Sequence, residues 1–405
     1  MKIGIVTTWF ERGAAYVSRQ FKEALEDQHD VFIFARGGES YAKGNSEWDG
    51  PEVHWGKRFY REATEVDLKE FGRWVKEKNI DIVLFNEQRW WPVVAYCNEN
   101  DILNGCYVDY YTEESRPVFG LHDFLICNTK RHMEAFDWHP QAVYIPWGTD
   151  VDLFAPQTLS PLDEEKLIFF HSAGMAPKRK GTELVIDAFR MMKEKESKLL
   201  IHTQKKLTAD FPEIDSVIKI LESEGRLEII QETVAAPGLY HKGDVYVYPS
   251  HLEGIGLTMA EALSCGLPLI TVDVPPMNEF VFDGAGISVP AARLYARKDG
   301  YYWPKNDIDT QKLSESMDEY VRIRADFGSV KERARAAALE HLDWSKNSGL
   351  LSEAFSKLTP VPADSKKAAY TAMTDYENER KLGLKHYGRE LFPGLYRIIR
   401  RLFKG

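Results

Sequence analysis

Tyr248-Pro249-Ser250-His251-Leu252-Glu253-Gly254-Ile255-Gly256-Leu257-Thr258-Met259-Ala260-Glu261-Ala262-Leu263-Ser264-Cys265-Gly266-Leu267-Pro268 reads as a strand end, a glycine-bearing loop, a short helix and a glycine stop. Glu253 falls in the loop and Glu261 on the helix, eight positions on. Between them lie the free N–H groups of a helix N-terminus, which with the helix dipole favour a phosphate. Gly254 and Gly256 allow a ligand close to the backbone, and Gly266 with Pro268 ends the helix. A phosphate cradle flanked by two acids suits a sugar nucleotide, with the acids on sugar and ribose hydroxyls.

Outward from this segment the pattern alternates strand and helix, which predicts parallel sheets covered on both faces. In the first half, strands are expected at Lys2–Val6, Val31–Phe34, Ile80–Phe85, Cys106–Asp109 and Phe124–Cys127. Val17, Phe21, Ala24 and Leu25 mark one face of an early helix. In the second half, strands are expected at Leu167–Phe170, Leu199–His202, Leu227–Ile230, Val245–Tyr248 and Leu267–Val272. The predicted division is a first α/β unit over 1–157, a second over 163–345 that holds the 248–268 segment, and a helical extension over 346–405. Two such halves place a cleft between the C-terminal ends of two sheets. Residues 291–305 read as a loop insertion.

Bulk composition agrees with a soluble multi-unit chain. It has 405 residues, 44% hydrophobic and 28% charged, with a net charge of -10 that disfavours nucleic acid as a partner. Cys97, Cys106, Cys127 and Cys265 form no metal spacing or disulfide framework, so a reducing cytoplasm is the expected compartment. The apolar run at Ile3–Val6 is too short for a signal peptide, and no run reaches bilayer length. No H-x-x-x-H pair occurs, so no metal is expected; a sugar nucleotide would be a substrate, so no cofactor is expected either. Asp150-Val151-Asp152 reads as structural.

The 248–268 segment resembles the E-x7-E signature of the retaining glycosyltransferase family 4, P-S-x-x-E-G-F-G-L-x-x-x-E-A-x-x-x-G-x-P. The likeness covers roughly residues 1–358 and is densest over 165–285. Tyr144–Phe154 resembles the family's interdomain element I-P-N-G-V-D-x-x-x-F, with Trp147 for Asn. The resemblance implies the GT-B fold, α/β with two Rossmann-like domains facing a cleft. It implies transfer of a sugar from a UDP- or GDP-linked donor, with retention, to a glycan or lipid-linked acceptor in cell-surface polysaccharide synthesis.

By that likeness Glu253 is the motif acid on the donor sugar and the expected catalytic group. Gly254 lies beside it, and Glu261 is the acid on the ribose. Gly256, Leu257 and Thr258 should meet the diphosphate. Lys180-Gly181 matches the family's Lys-Gly, with Lys180 on the donor phosphates. The family's arginine after the strand-end glycine is absent, since Met175 follows Gly174, and Arg179 is the expected substitute. Thr182 is the expected N-cap of the next helix. Glu279 resembles the acid after the following strand. On the acceptor side the Trp9–Ala15 loop supplies Gly13. The histidine common at the fourth strand is missing, which leaves Asp109 or a neighbouring tyrosine to contact acceptor or donor sugar. Thr203-Gln204-Lys205-Lys206 replaces a glycine-rich turn, and base recognition is expected near Ile230–Val234.

Residues 381–405 carry seven Lys or Arg and one acid, with Leu395, Ile398, Ile399, Leu402 and Phe403 on one helical face. Residues 395–404 therefore have two readings, docking on an anionic membrane face or packing on the body. Two other functions stay open: a sugar phosphorylase of the same fold, and a non-catalytic nucleotide-sugar-binding partner.

Overall fold

The computed structural model describes residues 1–38, 40–58, 63–157 and 166–378. The basic tail at 395–404 lies outside them.

The first sheet holds seven strands: β1 (Lys2–Thr7), β2 (Asp30–Ala35), β3 (Val53–Trp55), β4 (Ile82–Asn86), β5 (Leu103–Tyr107), β6 (Phe124–Cys127) and β7 (Ala142–Tyr144). Their spatial order is β3-β2-β1-β4-β5-β6-β7, with every pair parallel. The second sheet holds β8 (Leu167–Gly174), β9 (Ser197–Thr203), β10 (Leu227–Gln231), β11 (Val245–Tyr248), β12 (Leu269–Val272) and β13 (Gly286–Val289). Its order is β10-β9-β8-β11-β12-β13, again all parallel. Central strands such as β4 and β11 are buried at every position, because helices cover both faces.

The two sheets share a topological feature that locates the site. In each, the chain runs to one side of its first strand and then returns to the other side, so the order reverses between β1 and β4 and between β8 and β11. Loops leaving the carboxyl ends of strands at such a reversal diverge and open a crevice. Four loops follow these strands, and all four line one cavity, described below.

Residues 291–305 are not a plain loop. β14 (Ala291–Tyr295) and β15 (Lys305–Ile308) form an antiparallel hairpin, and Tyr301 makes an antiparallel bridge with Thr112 of the first unit. Tyr, Arg and Lys dominate this stretch, so it lacks the apolar alternation that would have marked strands.

After the second unit the chain returns to the first. Asp343 pairs with Thr149, Trp344 stacks on Trp147 at 4.4 Å, and Leu351 and Phe355 enter the core around Phe124. Further on, Lys366 forms an ion pair of 2.6 Å with Asp123, both buried, and Ala369 of a helix over 367–378 joins the core beside Val118 and Phe119.

Candidate functional site

The cavity, about 870 Å³, lies between the carboxyl ends of the two sheets. It is lined by Arg12, Gly13, Asn86, Glu87, Arg89, Asp109 and Tyr110 on one side, and by Arg179, Lys180, Tyr248 and Glu253–Thr258 on the other. Residues predicted from 248–268, from the basic loop and from the acceptor side therefore share one space. Glu261 is the exception; it stands one turn down the helix and is not on the cavity wall.

The helix Leu257–Ser264 begins after Gly256, which has φ 90° and offers no side-chain cap. The left-handed φ of Gly256 demands glycine, while a Cβ there would meet only the mobile end of Met259, Cε, at 2.5 Å and the Phe280 ring edge at 3.0 Å. The first N–H groups of this helix are left to the cavity.

Glu253 is only 9% exposed, yet it is well supplied with donors. Its Oε1 accepts from Tyr248 Oη at 2.5 Å, from Ser250 Oγ at 3.0 Å and from the Arg179 guanidinium. Among the described residues all three converge on Oε1, which leaves Oε2 for a ligand. Arg179 thus differs from expectation: it is committed to Glu253 and to the Leu252 carbonyl at 2.9 Å. The fork of a guanidinium fits a carboxylate as well as a phosphate, and the carboxylate is already there.

On this wall Lys180 is the cation left for an anion. Its Nζ donates to the Ser172 carbonyl at 3.1 Å, and burial lowers its pKa against the opposing pull of Glu253. Gly181, not Thr182, precedes the helix Thr182–Met191, with φ 67° and a Pro249 carbonyl 2.5 Å from where its Cβ would be. Thr182 is the first helical residue, and its hydroxyl bonds His171 at 2.9 Å. The close approach at Gly181 presses the two loops together. His251 N–H donates to the Arg179 carbonyl at 2.9 Å as a result.

Glu261 accepts from Tyr240 Oη at 2.5 Å, and burial raises its pKa. Thr203 to Lys206 form a tight turn in which Thr203 Oγ1 accepts from Lys205 N–H at 3.1 Å. Asp150 closes another turn, accepting from the N–H groups of Asp152 at 3.0 Å and Leu153 at 2.9 Å.

On the opposite wall Gly13 opens the helix Gly13–Leu25. Glu87 holds a left-handed φ of 52° and pairs with Arg12 at 3.0 Å. Asp109 carries a pKa raised to about 7, first by burial and then by Glu87.

Several residues of this region carried no sequence signal. Arg131, 1% exposed, crosses from the first unit and donates to the carbonyls of Glu253 at 2.5 Å, Gly254 at 3.2 Å and Pro275 at 3.1 Å. Glu279 returns the contact. It accepts from the N–H groups of Lys130 at 2.7 Å and Arg131 at 3.1 Å, capping the helix Lys130–Ala135 from the other unit. Its place is the domain interface. The hairpin adds a third crossing. Asn306 bonds the Ser250 and His251 carbonyls at 3.2 and 3.0 Å, Tyr301 stacks on Tyr110 at 5.1 Å, and Trp303 Nε1 donates to Tyr111 Oη at 2.6 Å.

Two Rossmann-like units joined in this way have known counterparts. A glycosyltransferase from Rickettsia africae superposes with a TM-score of 0.69 at 15% identity, over 88% of this chain and 99% of that one. The fold is GT-B. HepE from Anabaena, solved in complex with UDP, also superposes with a TM-score of 0.69, at 16% identity over 88% of this chain and all of HepE's. Within the GT-B frame, residues 165–310 match the family of glycosyl transferases group 1. The GtfA subunit of the UDP-N-acetylglucosamine--peptide N-acetylglucosaminyltransferase of Streptococcus pneumoniae is 28% identical over 249 residues, 53% of this chain. The match spans 44% of that relative's length.

Proposed function

We propose that this chain is a retaining glycosyltransferase that moves a sugar from a UDP- or GDP-linked donor to a glycan or lipid-linked acceptor in surface polysaccharide synthesis. One observation carries the reading: a single interdomain cavity holds an uncapped helix N-terminus, a buried lysine and an acid with a free oxygen. The N–H groups at Leu257 and Thr258, with Lys180, take the diphosphate and stabilise the charge that builds on it as the glycosidic bond breaks. Glu253 Oε2 holds the donor sugar, and Arg179, Tyr248 and Ser250 fix the carboxylate that does so. Gly13 and Asp109 face the acceptor. The similarity to GtfA and to HepE, named for UDP-linked chemistry and for a UDP complex, supports the donor class.

The membrane reading of 395–404 rests on the sequence pattern, and sedimentation with anionic liposomes tests it. Among the described residues no helix is long and apolar enough to cross a membrane.

Thermal shift against UDP, GDP and ADP tests the donor site, because a ligand that binds the folded state raises its apparent stability. UDP or GDP should raise the melting temperature and ADP should not. No shift with any nucleotide would overturn the reading. Slow hydrolysis of the donor without acceptor separates an enzyme from a binder, and dependence on inorganic phosphate marks a phosphorylase.

A further inference from the structure

We infer that the acceptor carries an oxyanion, a phosphate or carboxylate, and that Arg89 is the residue that selects it. The inference rests on the proposed function, since it concerns the acceptor end of the same cavity.

The argument begins with the charges on the cavity wall. Four cations and three anions line it: Arg12, Arg89, Arg179 and Lys180 against Glu87, Asp109 and Glu253. Arg12 is paired with Glu87, and Arg179 with Glu253. Lys180 sits buried beside the helix N-terminus, at the diphosphate end. Arg89 and Asp109 remain. No carboxylate stands within ion-pair distance of Arg89 among the described residues. Burial and Glu87 push the Asp109 pKa up to about 7, against the pull of Arg89, which stands near enough to feel it but outside ion-pair distance.

Arg89 is exposed, but its guanidinium is not loose. It lies 4.4 Å from the centre of the Tyr110 ring, a cation–π contact. Tyr110 is held in turn: its hydroxyl donates to the Asp299 carbonyl at 2.9 Å, and its ring stacks on Tyr301 with only 14° between planes. Tyr301 is buried and has the Arg297 guanidinium over its ring at 5.0 Å, while Arg297 is neutralised by Asp299. Arg89 is thereby the one cavity arginine, among those described, that is oriented by an aromatic support and makes no ion pair.

A guanidinium held this way presents a planar set of donors and little entropy to lose. Neutral hydroxyls gain little from it. An oxyanion gains a charge-assisted, bidentate contact. The platform is assembled from both units, Tyr110 from the first and Tyr301 from the hairpin of the second, so it exists only when the units are together.

The test compares glucose, glucose 6-phosphate and glucuronate as probes, by calorimetry on the full chain, with and without saturating UDP. At least one anionic sugar should bind about tenfold or more tighter than glucose, the scale of one charge-assisted contact. Phosphate and carboxylate sources are told apart by which of the two gains. Arg89→Gln should erase the preference while the UDP dissociation constant stays within about twofold. Arg89→Lys, which keeps the charge without the fork, should retain part of it. Equal binding of all three sugars by the unaltered chain overturns the inference. So does a preference that survives Arg89→Gln, or a loss of UDP affinity in that variant, which would put Arg89 on the donor. Failure of UDP itself to bind counts against the donor reading, and the comparison without UDP still decides the acceptor.

Discussion

The two walls of the cavity are built on opposite principles. On the wall of the second unit the charged side chains are held before any ligand arrives: Glu253 by three donors, Lys180 by a carbonyl, the loop itself by Arg131 from across the cleft. On the wall of the first unit a left-handed Glu87, a carboxyl that titrates near 7 and an arginine that makes no ion pair among the described residues share a small area. The wall of the second unit resembles a preorganised site for charge that develops during reaction. The wall of the first unit keeps a cation outside any ion pair, a site suited to selecting a partner.

If that contrast holds, the largest effect belongs to Glu253. Glu253→Gln should lower turnover about 10²–10³-fold, the scale of removing one preorganised polar contact. UDP or GDP affinity should change little in titration calorimetry. Lost nucleotide affinity with preserved turnover would place the carboxylate on the wrong part of the donor. Next comes Lys180→Ala, which should weaken nucleoside-diphosphate binding by about 1.5–3 kcal/mol, as for a charged hydrogen bond. Isothermal titration of a folded variant settles it; an unchanged dissociation constant moves the diphosphate elsewhere.

The interface predictions are smaller. Glu279→Gln weakens an anionic cap on a helix N-terminus and should cost about 1 kcal/mol of stability. The melting temperature should fall by a few degrees at most, roughly 2–4 °C per kcal/mol for chains of this class. Cooperative unfolding at an unaltered temperature would mean the clasp contributes nothing.

The smallest effect is that of Asp109. Its pKa is raised to about 7, so the carboxyl is neutral below that pH and adds negative charge to the cavity above it. Diphosphate affinity should therefore fall a few-fold as pH rises through 7, by like-charge repulsion across solvent. Asp109→Asn should flatten the profile. The same shift makes the folded state the stronger proton binder, so stability declines from the ordinary carboxylate range up to about 7 and not beyond. A nucleotide-affinity profile that Asp109→Asn leaves unchanged would remove Asp109 from the cavity's electrostatics.

The same contrast governs what could be read in advance. Much of the second unit's wall comes from consecutive residues, so Glu253, Gly256 and the helix behind them were visible in one segment. Val245–Tyr248 and Phe124–Cys127 were located to the residue, because turn residues bracket them. Ile82–Asn86 and Leu103–Tyr107 were misplaced by a residue or more. Buried parallel strands are apolar throughout and carry no periodicity to mark their ends. Arg131 sits in Lys130–Ala135, a short polar-looking helix, and its meaning depends on carbonyls more than a hundred positions away. Thr182 looked like a cap by residue type, but the left-handed turn at Gly181 took that place. Contacts that only tertiary packing creates, such as Tyr110 on Tyr301, leave no local trace.

The return of the chain to its starting unit has a mechanical consequence. The two lobes are linked by two covalent crossings, one after Asp150 and one at Leu342–Trp344, lying side by side through Thr149 and Asp343. Any relative motion of the lobes must pass through these two adjacent crossings, which the Thr149–Asp343 bridge ties together. Limited proteolysis inside 151–157 should leave both lobes associated through the second crossing. Truncation before Leu351 should strip the first lobe of Leu351, Phe355 and Lys366, leaving Asp123 buried without its partner.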